Sequence, residues 1–175
     1  VDSPGGAVLA SDRMYRAVLK AAERKPLVVS FGNSAASGGY YLACGAKEII
    51  STPVTITGSI GIFTGKVDLA GLYDKVGITT DTQKTSVSAD AAGVHRPWSA
   101  EELERARERL MPYYERFVRL VAQARQMEPS SARARARGRV YLGSRAMTLN
   151  LVDQKGSLWD AVKRVRALAN VEASE

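Results

Sequence analysis

The segment SAASGGYYLACGAKEII, residues 34–50, decides how this chain is read. It follows a short apolar run, PLVVSF (26–31), and a Gly32-Asn33 turn signal. An apolar run of that length bounded by turn residues fits a buried strand. The small and apolar residues from Ala36 to Ala46 fit a helix packed closely on its neighbours. A strand that gives way to a helix here places Ser37 at the joint. Two roles are open to a serine in that place. It closes a tight turn as a packing residue, or it is displayed as a nucleophile, where the helix dipole and unpaired N–H groups favour a developing negative charge.

Working outward, Val8, Met14, Tyr15, Val18 and Leu19 recur at helical spacing and predict an amphipathic helix over 6–25, ended by Pro26. Leu27–Phe31 and Glu48–Ser51 read as short strands, and Ile56–Phe63 as a strand or loop with close backbone contacts at Gly58 and Gly61. A short helix is expected over Leu69–Lys75, a strand over Ile78–Thr82 and a loop over Lys84–Pro97. Ser99-Ala-Glu-Glu102 has capping-box spacing and opens a long helix, with Leu103, Ala106, Leu110, Tyr114, Phe117 and Val121 on one face. Pro112 predicts a kink in it. An Arg-rich helix, the segment RVYLG (139–143), a helix from Ser144, a strand-like LNLVD (149–153) and an amphipathic helix over Leu158–Ala169 complete the chain.

Strands alternating with helices predict an α/β fold, a largely parallel sheet with flanking helices, as a single domain over 1–175. Ligand sites in such sheets gather where strands end and helices begin. Two glycine pairs, Gly5-Gly6 and Gly38-Gly39, fall at such joints.

The composition, 45% hydrophobic, is that of a globular chain. No run approaches the ~20 apolar residues of a membrane helix. A single cysteine, Cys44, excludes an internal disulfide framework and reads as a buried core thiol; with a single histidine, His95, it leaves no His/Cys metal site and no cofactor is expected. The net charge of +7 is concentrated in SARARARGR (131–139), which reads as a solvated helix face. Nucleic-acid binding would call for aromatic residues between the charges, and none occurs before Tyr141, so no nucleic acid is expected as a partner.

If Ser37 is a nucleophile, the glycine beside it lets a substrate backbone approach, and two N–H groups can hold an oxyanion. Gly6 and Gly38 are the candidates. Four segments then narrow the choice: VDSPGG (1–6), SAASGGYY (34–41), TGSIGIF (57–63) and GRVYLGSRAMTLNLVD (138–153). In this order, over nearly the whole chain, they resemble the signal peptide peptidase A (protease IV) family of membrane-associated serine proteases. The resemblance implies a ClpP/crotonase-like fold and a Ser–Lys dyad. It puts the nucleophile on Ser37, the oxyanion glycine on Gly6, and a second serine that holds the catalytic lysine on Ser59.

A serine hydroxyl needs a base. His95 lies in VHRPW and reads as a loop residue without an assignable carboxylate partner. Single-domain members of the resembled family carry the lysine in a K-S-G-x-x-K-D stretch; here that stretch is KTSVSAD (84–90), with Ala89 where the second lysine would stand. Lys84 and Lys66 are the substitutes within this chain. The double-length branch offers another answer, because there the C-terminal copy of the fold keeps the serine and the N-terminal copy supplies the lysine. This chain has that C-terminal pattern and begins with Val rather than Met, so it is expected to be the nucleophile-bearing half of a longer chain.

The resemblance further implies cleaved signal peptides and other apolar peptides as substrates, and a ring-forming homo-oligomer, a tetramer of the full-length chain. It also implies attachment to the bacterial inner membrane with the catalytic domain on the periplasmic side. Two alternatives remain: a non-catalytic scaffold half of a protease ring, and an acyl-CoA enzyme of the crotonase type, which polarises a carbonyl with two N–H groups and needs no serine.

Overall fold

The computed structural model describes residues 1–171. In chain order its elements are α1 (Val8–Ala22), β1 (Val28–Ser30), β2 (Ser34–Ala36), α2 (Gly38–Ala43), β3 (Glu48–Ser51), β4 (Ile56–Gly58), α3 (Ala70–Val76), α4 (Ala100–Ala124), α5 (Pro129–Arg135), β5 (Val140–Leu142), α6 (Gly143–Thr148), β6 (Gln154–Lys155) and α7 (Leu158–Ala169). They form two compact units, Val1–Ile62 with the chain from Tyr114 onward, and Phe63–Tyr113.

The first unit holds two small sheets, in the orders β1-β3-β6 and β2-β4-β5. Their pairings are parallel except that of β4 with β5. The segment before α1 extends the second sheet, because Ser3 bridges in parallel to Ala35. Val29, Phe31, Ile49 and Ile50 are buried, as both faces of a parallel sheet demand. Val29, Phe31 and Ile49 share one core with Tyr40, Tyr41, Val118, Val121 and Leu151.

Local chemistry sets the element ends. Ser99 and Glu102 cap α4 reciprocally, with Glu102 N–H donating to Ser99 Oγ and Ser99 N–H to Glu102 Oε2. Ser157 and Asp160 do the same for α7. The α2 helix starts at Gly38, later than the small-residue run predicts, because Ser37 leaves helical space at φ 50°. Of Ile56–Phe63, read as a strand or loop, Ile56–Gly58 forms the strand, which ends where Ser59 turns at φ 49°.

Two expectations are corrected. No strand forms over Ile78–Thr82; Gly77 ends α3 in the left-handed region, and Ile78 is half exposed with no strand to pair with. LNLVD is not a strand although Leu151 and Val152 are buried. Asn150 turns at φ 58°, the Asp153 carboxylate takes the Ile49 N–H, and the strand falls on Gln154–Lys155. Pro112, where a kink is expected, lies inside α4.

Candidate active site

Ser37 and Ser59 both leave the C-terminal ends of adjacent parallel strands. Ala36 pairs with Gly58, and each serine is the next residue. Ser37 N–H donates to the Gly58 carbonyl at 2.9 Å, so a single peptide group joins the two turns. A positive φ at a non-glycine residue is sparsely populated and costs about 1–3 kcal/mol, and it recurs here at neighbouring positions. Neither serine hydroxyl has a hydrogen-bond partner among the described residues, although both side chains are only half buried.

The two glycine turns meet at this point. Ser3 runs beside β2, donating to Ser34 O at 2.7 Å and accepting from Ala36 N–H at 3.0 Å. Ser3 Oγ accepts Gly5 N–H at 3.2 Å and shapes the turn that follows. Gly5 takes φ 126°, and a Cβ there would lie 2.7 Å from Ser37 Cβ. On Gly38 a Cβ would lie 2.3 Å from Ser11 Oγ and 3.2 Å from the Gly6 nitrogen. On Gly39 it would lie 2.9 Å from Ser3 O. Glycine at 5, 38 and 39 therefore lets two backbones touch, which carries Gly6 N–H to the start of α2. Among the described residues neither Gly6 N–H nor Gly38 N–H donates a hydrogen bond. Ser37, Gly6 and Gly38, which the sequence singles out, are thus brought together, and Ser59 lies across the strand pair from Ser37.

Sequence reasoning misses the residues that hold this arrangement from behind. Ser11 is buried against Gly38, its hydroxyl donating to Ala7 O at 3.1 Å. Tyr41 N–H donates to Ser37 O at 2.8 Å. Its phenol donates to Asp12 Oδ1 at 3.0 Å and accepts from Arg116 Nε at 3.1 Å. Arg116 also pairs with Asp12 at 2.5 Å, and Arg16 with the other Asp12 oxygen at 2.8 Å. Burial works against the Asp12 charge, but hydrogen bonds from Arg16 and Tyr41 and the Arg116 charge hold its carboxyl below the usual value. The only sequence signal for this set is Tyr41, a polar aromatic in a run of small residues.

The candidate bases have partners of their own inside the second unit. Lys66 Nζ donates to Ala91 O and Gly93 O, both at 3.0 Å. Lys84 Nζ pairs with Asp90 at 3.2 Å. His95 Nε2 also lies 3.3 Å from Asp90, a carboxylate partner that the sequence does not identify, while Arg96 bridges Asp90 and Glu102. Ala89 is exposed in a turn.

Two other readings settle in the first unit. Cys44 is a buried core thiol, pushed up to about 12 by burial. Most of the Arg-rich segment is used internally: Arg133 forks onto Glu115, Arg135 donates to Leu149 O and Ser131 O, and Arg139 to Ala134 O. No helix of the described residues is long and apolar enough to cross a membrane.

The model of peptidase family S49 matches residues 20–172. The chain is 38% identical over 172 residues to the chloroplastic serine protease SPPA of Arabidopsis thaliana, covering 98% of this chain and 25% of that protein. It is 38% identical to protease 4 of Salmonella typhi, covering 98% of this chain and 28% of that one. The chain thus spans about a quarter of the length of these relatives. Among solved structures, a ClpP1 mutant from Listeria monocytogenes superposes with a TM-score of 0.60 at 17% identity, over 93% of this chain and 74% of that one. That likeness shows the ClpP-like fold, and the family match over most of the sequence shows the rest: this chain belongs to peptidase family S49.

Proposed function

We propose that this chain is the nucleophile-bearing part of a serine endopeptidase that works by a Ser–Lys dyad. The observation that carries the reading is the turn at Ser37. An unpartnered hydroxyl stands at a strand C-terminus, with the unpaired N–H groups of Gly6 and Gly38 beside it. In the reaction, Ser37 Oγ attacks a peptide carbonyl as a lysine amine takes its proton. The carbonyl oxygen becomes an oxyanion, held by Gly6 and Gly38 N–H. Removing such a donor costs roughly 10²–10³ in rate. The leaving amine takes the proton back, an acyl-enzyme remains, and water releases it.

Ser59, on the neighbouring strand end, orients the lysine. The lysine comes from a second copy of the fold in the parent chain. That assignment is supported by Ala89 at the expected position and by the acceptors that already hold Lys66 and Lys84. The substrates are cleaved signal peptides and other apolar peptides, handled by a membrane-attached ring of the parent chain on the periplasmic face of the inner membrane.

The test is hydrolysis of an apolar fluorogenic peptide by the full-length parent and by this chain alone. Activity in the parent, lost in Ser37→Ala and absent from the isolated chain, supports the split dyad. Comparable activity in the isolated chain places the base within it.

A further inference from the structure

The α2 helix has six residues, too few to hold its own direction in water. Something outside it must aim Ser37. Two glycine contacts bring α1 and α2 together: Gly38 against Ser11, and Gly45, just past α2, where a Cβ would lie 3.0 Å from Val18 Cγ1 and 3.1 Å from Tyr15 O. Such contacts permit closeness, but dispersion between small groups does not fix register. Directional bonds do, and they occur between those two contacts. Tyr41 is held through its hydroxyl by Asp12 of α1 and by Arg116 of α4. Asp12 follows Ser11, the residue that touches Gly38. Tyr41 N–H takes the Ser37 carbonyl in the first hydrogen bond of α2. A shift of the phenol therefore reaches Ser37 through one helical turn.

We propose that Asp12, Tyr41 and Arg116 form a clasp that positions Ser37 against the N–H groups of Gly6 and Gly38. The proposal rests on Ser37 being the nucleophile. None of the three touches the reacting atoms, so they are positioning residues. The clasp sits at the rim of the α1–α2 contact, where the Arg116 side chain is 46% exposed and Asp12 19%. The Tyr41 ring packs independently, 5.6 Å from Tyr15 and 4.8 Å from Phe117 between centroids. Replacing Tyr41 by Phe thus removes the directional bonds and keeps the packing.

The experiment uses the full-length parent, a fluorophosphonate probe and the apolar fluorogenic peptide. In Tyr41→Phe we expect kcat to fall about tenfold with KM within about twofold, since small misplacements of a nucleophile act on the chemical step. The labelling rate of Ser37 should fall in parallel while the final labelled fraction stays that of the wild type. Arg116→Met should behave likewise, with partial rescue in Arg116→Lys; should Tyr41→Phe fail to fold, Arg116→Met carries the same comparison. Wild-type labelling rates in both variants would overturn the clasp, as would a reduced labelled fraction at an unchanged rate, which marks a purely structural role. If the wild-type protein is not labelled at Ser37, the nucleophile assignment fails and the clasp falls with it.

Discussion

Ser37 and Ser59 are the same position on two neighbouring strands: each follows one partner of the Ala36–Gly58 pair, and each turns at φ near 50°. A serine in that backbone is strained, and glycine would not be. Ser37→Gly should abolish peptide hydrolysis by the parent protein while leaving its stability equal or raised by about 0.5–1 kcal/mol. Urea unfolding beside the activity assay checks both. A loss of stability together with activity would mean that the hydroxyl serves the fold.

Gly38 has no room for a side chain. A Cβ would stand 2.3 Å from Ser11 Oγ, so Gly38→Ala should cost about 1–3 kcal/mol by overpacking. Ser11→Ala in the same chain should recover much of that cost, because it removes the 2.3 Å contact and leaves the approach to the Gly6 nitrogen at 3.2 Å. Thermal unfolding of the two single variants and the double variant measures the coupling.

Lys66 and Lys84 separate the two origins of the base. Lys66→Met and Lys84→Met in the parent should each keep kcat/KM within about threefold, since both amines serve acceptors in their own unit. A drop of roughly four to six orders of magnitude in either variant would place the base in this chain, the scale expected for loss of the partner of a nucleophile.

The Phe63–Tyr113 unit should be acid-sensitive. Hydrogen bonds from Arg96, then from Ser99 N–H, pull the Glu102 carboxyl from 4.5 to about 2. Asp90 is pulled well below the carboxylate range, first by Arg96 against the effect of burial and then by Lys84. Both folded values lie below the unfolded ones, so this stabilisation is fully present above about pH 4.5 and fades as pH falls toward 2. Trp98, whose indole N–H donates to Ala91 O at 2.8 Å, reports the change by fluorescence in a Trp159→Phe background. Arg96→Met should flatten the acid limb, and an unchanged limb would assign it to other carboxylates.

Much of this molecule is written locally. The apolar run ending at Phe31, the turn at Gly32-Asn33 and the two glycine pairs place a strand, a serine and a helix in order, and the capping residues at Ser99 mark the start of α4. Those signals act over a few residues, through hydrophobic periodicity and backbone freedom, and so survive in the sequence alone. Ala89, by contrast, takes its meaning only from the family resemblance. LNLVD shows the limit, because an alternation of apolar residues does not say that an Asp153 carboxylate will take the Ile49 N–H in place of a strand.

What only the tertiary structure decided is what each residue faces. The Gly5 turn meets Ser37, Ser11 fills the space above Gly38, and Arg116 reaches Asp12 across 104 residues of chain. Arg133, Arg135 and Arg139, a basic surface by composition, spend their donors on Glu115 and on backbone carbonyls. The reason is physical. Chain order and periodicity determine which face of an element is apolar, whereas hydrogen-bond partners and backbone clearance depend on packing between elements that no local pattern encodes.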